Sequence, residues 1–204
     1  SGGDPDAIPD LSYEQLMAFY KGHYHPSNSI LLTFGNLPVS QHHDAFESRA
    51  LHRFEKSDEV IEVHLEQSFE APKKATHRYA LDDTDAAEKT HLIMGWKLGE
   101  SSDLDAMLEA QLLSSVLMEN SASPLMKWLE TNDLGTAPSP LCGLEESMRE
   151  MVMCCGIEGS EASRADDFEA SVLDVIRRTA EEGVSEERLE AILHQIELHQ
   201  REVT

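Results

Sequence analysis

The sequence predicts an α+β domain, a mostly antiparallel sheet with helices packed on one face. Three observations carry this. The runs His91 to Leu98, Leu141 to Glu146 and Met151 to Glu158 have the length and composition of strands. Around them, 104–117, 168–176 and 189–196 place apolar residues at helical spacing. No self-similar period of solenoid length runs through the chain.

In chain order, residues 1 to 10 read as a loop rich in Pro, Gly and Asp. Ser12 caps a helix carrying Leu16, Phe19 and Tyr20. A Pro26-Ser27-Asn28 turn feeds a short apolar strand, Ile30 to Phe34, stopped by Gly35-Asn36. Ser40 is expected to cap a second helix, with Phe46, Ala50 and Leu51 along one side. Ile61, Val63 and Leu65 then alternate with Glu62, His64 and Glu66, the period of a half-buried strand. Ala71-Pro72-Lys73-Lys74 breaks the pattern. The expected organisation is therefore residues 1–54, a connecting segment with a strand at 55–74, and an α+β domain at 75–204.

Within that domain the strand His91–Leu98 comes first. Ser102 with Asp105 predicts an Asp form of the capping box for a helix through Leu104, Leu108, Leu112 and Val116. Ser123-Pro124 restarts a helix, with Leu125, Trp128 and Leu129 inward and an end near Gly135. The strands 141–146 and 151–158 join around Ser147-Met148-Arg149. Ser163 with Asp166 is expected to cap a long helix through Phe168, Val172 and Val175, stopped at Gly183. Ser185 starts the last helix, with Leu189, Ile192 and Ile196.

The strand at 30–34 needs partner strands, yet only a loop and one helix precede it. The chain opens on Ser1-Gly2-Gly3 without an initiator Met, and its last helix meets no stop signal. These features predict a piece of a longer protein, truncated at both edges.

Apolar content of 40% suffices for a packed core. With 39 acidic against 16 basic residues the net charge is −23, which argues against nucleic acid, whose phosphates need clustered Lys and Arg. The acidity reads as a solubilising surface; recruitment of cationic peptides is the functional alternative. No apolar run reaches the roughly 18 residues that span a membrane, so no membrane partner is expected. Three cysteines, Cys142, Cys154 and Cys155, form no CxxC pair, and adjacent strand cysteines point to opposite faces. Reduced thiols are expected, which favours a reducing compartment: cytoplasm, or an organelle matrix in a eukaryote. The methionines at 107, 118, 126, 148, 151 and 153 read as core filling, with lining of an adaptable peptide chamber as the alternative.

Four segments are informative together: Ser1 to Phe19 (SGGDP, IP, LSYEQL), Tyr24 to Asn36 (YHPSNS, FGN), Ser121 to Gly135 (SASPLMKWLETNDLG) and Ile192 to Leu198 (ILHQIEL). In this order and register they resemble the insulinase/pitrilysin family of zinc metallopeptidases, in its presequence-protease branch. The resemblance implies that residues 1–54 are the tail of a catalytic-type first domain and 75–204 an incomplete, non-catalytic repeat of the same fold. It further implies a parent zinc metalloendopeptidase that degrades unstructured peptides inside a chamber, with this part as chamber wall, partnered by the rest of the chain and by peptide substrates. The truncated N-terminal part is expected to self-associate. Rival readings are a non-catalytic core subunit of the same fold and an independent acidic peptide-binding module.

That family's zinc site is His-x-x-Glu-His, two imidazoles one helical turn apart with a Glu that activates water. The chain contains no such motif. His194 and His199 flank a Glu but are five residues apart, which at about 100° per residue leaves them roughly 140° apart around a helix. His23 with His25, and His42 with His43, lack a carboxylate or thiol at ligand spacing. Zinc is therefore expected in the parent and not in these residues, and no catalytic, metal or substrate-binding residue is assigned. Ser123 to Lys127 misses a Ser-x-x-Lys motif by one residue and reads as a helix start. The acidic runs at 82–85 and 103–105 lack the ligand ladder of a calcium loop and read as caps and solvated charge.

Overall fold

The computed structural model describes residues 3–82 and 85–202. Ser1 and Gly2 of the first resemblance segment, and Asp83 and Thr84 of the acidic run, lie outside them. The chain divides into two compact units, Ser1–His64 and Leu65–Thr204.

The first unit holds two helices, α1 (Tyr13–His23) and α2 (Val39–Arg49), with 3₁₀ turns at Ile8–Asp10, Pro26–Asn28 and Leu51–Arg53. Ser12 opens α1 with a reciprocal box: its hydroxyl accepts from the Gln15 N–H, and the Gln15 side chain accepts from the Ser12 N–H at 2.7 Å. Ser40 caps nothing, because α2 begins one residue before it, after Pro38, whose fixed φ sets the entry without a side-chain cap.

The expected strands at Ile30–Phe34 and at 61–65 are absent, since both stretches lie in irregular backbone. A strand exists through its ladder partners, and among the described residues this unit contains no strand at all. Ile30 and Leu32 are 96% and 86% exposed, and Phe34 is fully so. No described residue of this unit is buried.

The second unit is the predicted α+β layer: β1 (Thr90–Glu100), α3 (Leu104–Met118), α4 (Pro124–Thr131), β2 (Ala137–Pro138), β3 (Gly143–Glu145), β4 (Glu150–Ser160), α5 (Ala165–Glu182) and α6 (Glu186–Glu202). The four strands form an open antiparallel sheet around β4. On one side β4 pairs with β1, matching Met94 to Cys155 and Trp96 to Met153. On its other side it pairs with β2 near Ile157 and with β3 near Met153. The two-residue β2 has no periodic signal in the sequence, because a period needs more positions than two.

Period-2 geometry sends alternate residues to opposite faces. One face of β4 carries Met151, Met153, Cys155 and Ile157, all buried. Met153, Cys155 and Ile157 join Leu92 from β1 and the inward residues Leu117, Met118, Leu125, Leu129, Phe168, Val172 and Val175 from α3, α4 and α5 in one core. The methionines of this face are thus core filling.

The caps refine the sequence reading. Asp103, not Ser102, opens α3, its carboxylate accepting from the N–H groups of Asp105 and Ala106. Ser163 does not cap α5; it lies in a 3₁₀ turn at Ala162–Arg164 that runs straight into the helix, and its place as a cap is thereby lost. Gly183 ends α5 with φ +74°, where a side chain would be strained.

Candidate functional site

The segment Ser121–Gly135 is a packing hub in which the side chains of Ser121, Ser123, Thr131 and Asn132 are all hydrogen-bonded. Ser123 is buried; its Oγ donates to the Ser115 carbonyl at 3.4 Å and accepts from the Asn120 N–H and from Arg188 Nη2, the latter at 2.9 Å. Asn132 closes α4 from both sides. Its Nδ2 donates to the carbonyls of Trp128 and Leu129, and its Oδ1 accepts from the N–H groups of Leu134 and Gly135. A Cβ at Gly135 would sit 2.8 Å from the Glu158 carbonyl, so the turn brings its backbone against β4 only with glycine. These contacts give the sequence of the hub a structural explanation.

The sheet face opposite the helices is left uncovered by the helices described in this unit. It carries exposed Ile93, Gly95 and Lys97 from β1 beside half-buried Val152 and Cys154 and buried Gly156 from β4. At its end, Lys97 Nζ lies 2.8 Å from Glu150 Oε1 and donates to the Glu66 carbonyl at 2.7 Å, while Glu150 Oε2 accepts from the Glu66 N–H. The Lys97 ammonium, followed by the Glu66 N–H, holds the Glu150 carboxyl below its ordinary value.

Burial governs the three thiols. Cys155 points into the core and Cys154 to the open face, as alternation requires. Burial raises the thiols of Cys142 and Cys154 and pushes Cys155 up to about 12, so the thiolate is disfavoured at all three. The Cys142 Sγ is engaged with Gly156, accepting from its N–H at 3.2 Å.

His194 and His199 are exposed on α6, and only His199 borders a cleft of about 500 Å³ between α3, β3 and α6. His23 Nδ1 lies 3.0 Å from the Phe19 carbonyl and His25 Nδ1 accepts from the Ser27 N–H, which makes both local capping residues. Among the described residues no three His, Cys, Asp or Glu side chains converge tightly enough for a metal ion. The donors present do not fit a zinc site. No helix of the described residues is long and apolar enough to cross a membrane.

An open antiparallel sheet of four strands backed by helices on one face defines an α+β domain. Comparison with known proteins places it: residues 10–196 match the family described as the Peptidase M16 inactive domain, and the chain belongs to that family. Among curated relatives it is 33% identical over 203 residues to the mitochondrial presequence protease of Xenopus tropicalis, covering 98% of this chain and 20% of that protein. The presequence protease of Danio rerio is 33% identical, with the same coverages. A Clostridium perfringens protein named HypA is 29% identical over 99% of this chain and 21% of its own length. The chain thus spans about one fifth of the relatives it matches.

Proposed function

We propose that this chain is an internal part of a zinc metalloendopeptidase that degrades unstructured peptides, and that it acts there as a non-catalytic wall of the peptide chamber. The observation that carries the reading is the match over nearly the whole chain to a peptidase family's inactive domain, in relatives named presequence proteases. The sheet face that no described helix of this unit covers supports it, because a wall needs one face packed for rigidity and another to line the chamber. The parent's zinc would be held by residues outside this chain, so the 204 residues alone cleave nothing. The first unit contributes the tail of the catalytic-type domain, with Ile30–Phe34 as its last strand once a sheet is supplied. The rest of the parent chain and peptide substrates are the partners, and neither nucleic acid nor membrane is. The relatives named mitochondrial, together with the three free thiols, support an organelle matrix as the compartment.

The test is on the parent protein. Full-length enzyme should cleave an unstructured peptide and leave the same sequence inside a folded domain intact, with activity abolished by a chelator and restored by zinc. A reading frame that encodes no His-x-x-Glu-His upstream of Ser1, together with no cleavage by the full-length protein, would replace the peptidase with a non-catalytic scaffold of the same fold.

A further inference from the structure

We propose that α6 is a strap that lifts off α3 as a unit, pivoting at Gly183 and pinned by the Arg188 guanidinium. Four observations converge on it. First, α6 buries one residue, Ile192, along its 17 residues, whereas α5 buries Phe168, Val172 and Val175. Since local opening free energy follows buried apolar contact, α6 is the weakly held helix of the layer. Second, its far half does not seat. Gln195, Ile196 and His199 overhang the cleft of about 500 Å³, whose opposite walls are Gln111 and Leu144.

Third, Arg188 is a pin that works without a counter-ion. Its Nη2 donates to the Val116 carbonyl at 3.0 Å and to Ser123 Oγ at 2.9 Å, and among the described residues it has no carboxylate partner. Val116 lies in the last turn of α3, where unpaired carbonyls and the negative end of the helix dipole favour a cation. One side chain of α6 therefore caps α3 and also ties the start of α4. Fourth, the joint lies at Gly183, which has φ +74° and open space where a Cβ would sit, and whose N–H closes α5 on the Thr179 carbonyl at 3.0 Å. With the pin close to the pivot, releasing Arg188 leaves Ile192 as the one buried anchor of α6 and lowers the cost of opening the cleft.

Hydrogen exchange on the 204-residue chain tests this. In the wild type, amides of 190–200 should exchange at least about tenfold faster than those of 168–180. Arg188→Ala should speed α6 by a further factor of about ten, the scale of lost charged hydrogen bonds, and leave α5 and β4 unchanged. Arg188→Lys, which keeps the charge but loses the fork, and Ser123→Ala, which removes one acceptor, should fall between; they carry the test if Arg188→Ala does not fold. Equal protection of α6 and α5 in the wild type overturns the proposal. So does a uniform increase across α5, α6 and β4 in these variants, since Arg188 would then stabilise the unit as a whole.

Discussion

Lys97 and Glu150 grip the two backbone groups of Glu66 as a neighbouring strand would. The ammonium takes the carbonyl at 2.7 Å and the carboxylate takes the N–H at 2.7 Å, while the two side chains lie 2.8 Å apart. A side-chain pair thus replaces two ladder bonds and holds a segment that forms no strand beside β1.

This grip titrates with acid. The Glu150 carboxyl is held below its ordinary 4.5 by Lys97 first and the Glu66 N–H second. A depressed folded value means that its stabilisation is complete above 4.5 and is lost as pH falls through the folded value. Thermal melts of wild type and Glu150→Gln should therefore differ above pH 4.5 and converge below the depressed value. A difference that stays constant through this acid window would exclude the ionised pair as its source.

Leu125 and Leu129 of α4 sit at the centre of the core, 0% and 1% exposed. Leu125→Ala should cost about 2–5 kcal/mol in urea unfolding, as transfer and cavity terms add. The exposed Leu104→Ala should stay within about 0.5 kcal/mol. Equal effects would contradict the assignment of α4 to the core.

Asn132 commits its amide to four backbone groups at the end of α4. Asn132→Ala should cost about 1–3 kcal/mol by orphaning part-buried groups, and Asn132→Asp should recover only the Oδ1 half. Gly135→Ala should be worse than either, since its Cβ meets the Glu158 carbonyl at 2.8 Å. Unfolding midpoints of the three variants give the order directly.

The histidines of α6 are exposed and five residues apart. Chain purified without chelator should carry no stoichiometric zinc and leave unstructured peptides uncut. One zinc per chain by elemental analysis, lost on His194→Ala, would show that the pair finds a ligand geometry that a regular helix denies it.

The first unit leaves Leu16, Phe19, Ile30, Leu32 and Phe34 exposed and buries no described residue. Apolar surface of this extent favours association. Sedimentation should show concentration-dependent self-association that weakens on replacing Ile30 and Leu32 with Asp. In dilute monomer, residues 12–34 should exchange faster than 104–117; equal protection would count against the association.

Local signals in the chain are enough for the elements with internal support. The amphipathic runs of α3 and α5, the Ser12 cap, the Pro124 start, the Gly183 stop and the apolar run of β4 all arise from residues within one turn or one strand of each other. The predicted α+β class follows from them, as does the opposite placement of Cys154 and Cys155. The caps at Ser40, Ser102 and Ser163 each shift by a residue or more. At α3 the reason is plain: Asp103 and Ser102 compete for the same N–H groups, and the loop that decides between them is set by tertiary position.

What residues could not determine alone was whatever depends on a distant partner. Ile30–Phe34 and 61–65 carry strand composition, but a strand forms only when a second backbone satisfies its N–H and C=O groups, and none pairs with them among the described residues. The Lys97–Glu150 grip on Glu66 and the Arg188 pin on Val116 join residues 31 to 84 positions apart. No periodicity encodes such meetings. The sequence by itself settled which segments carry an apolar face. The tertiary structure settled which of them find one to bury against, because burial and hydrogen bonding each require a second partner.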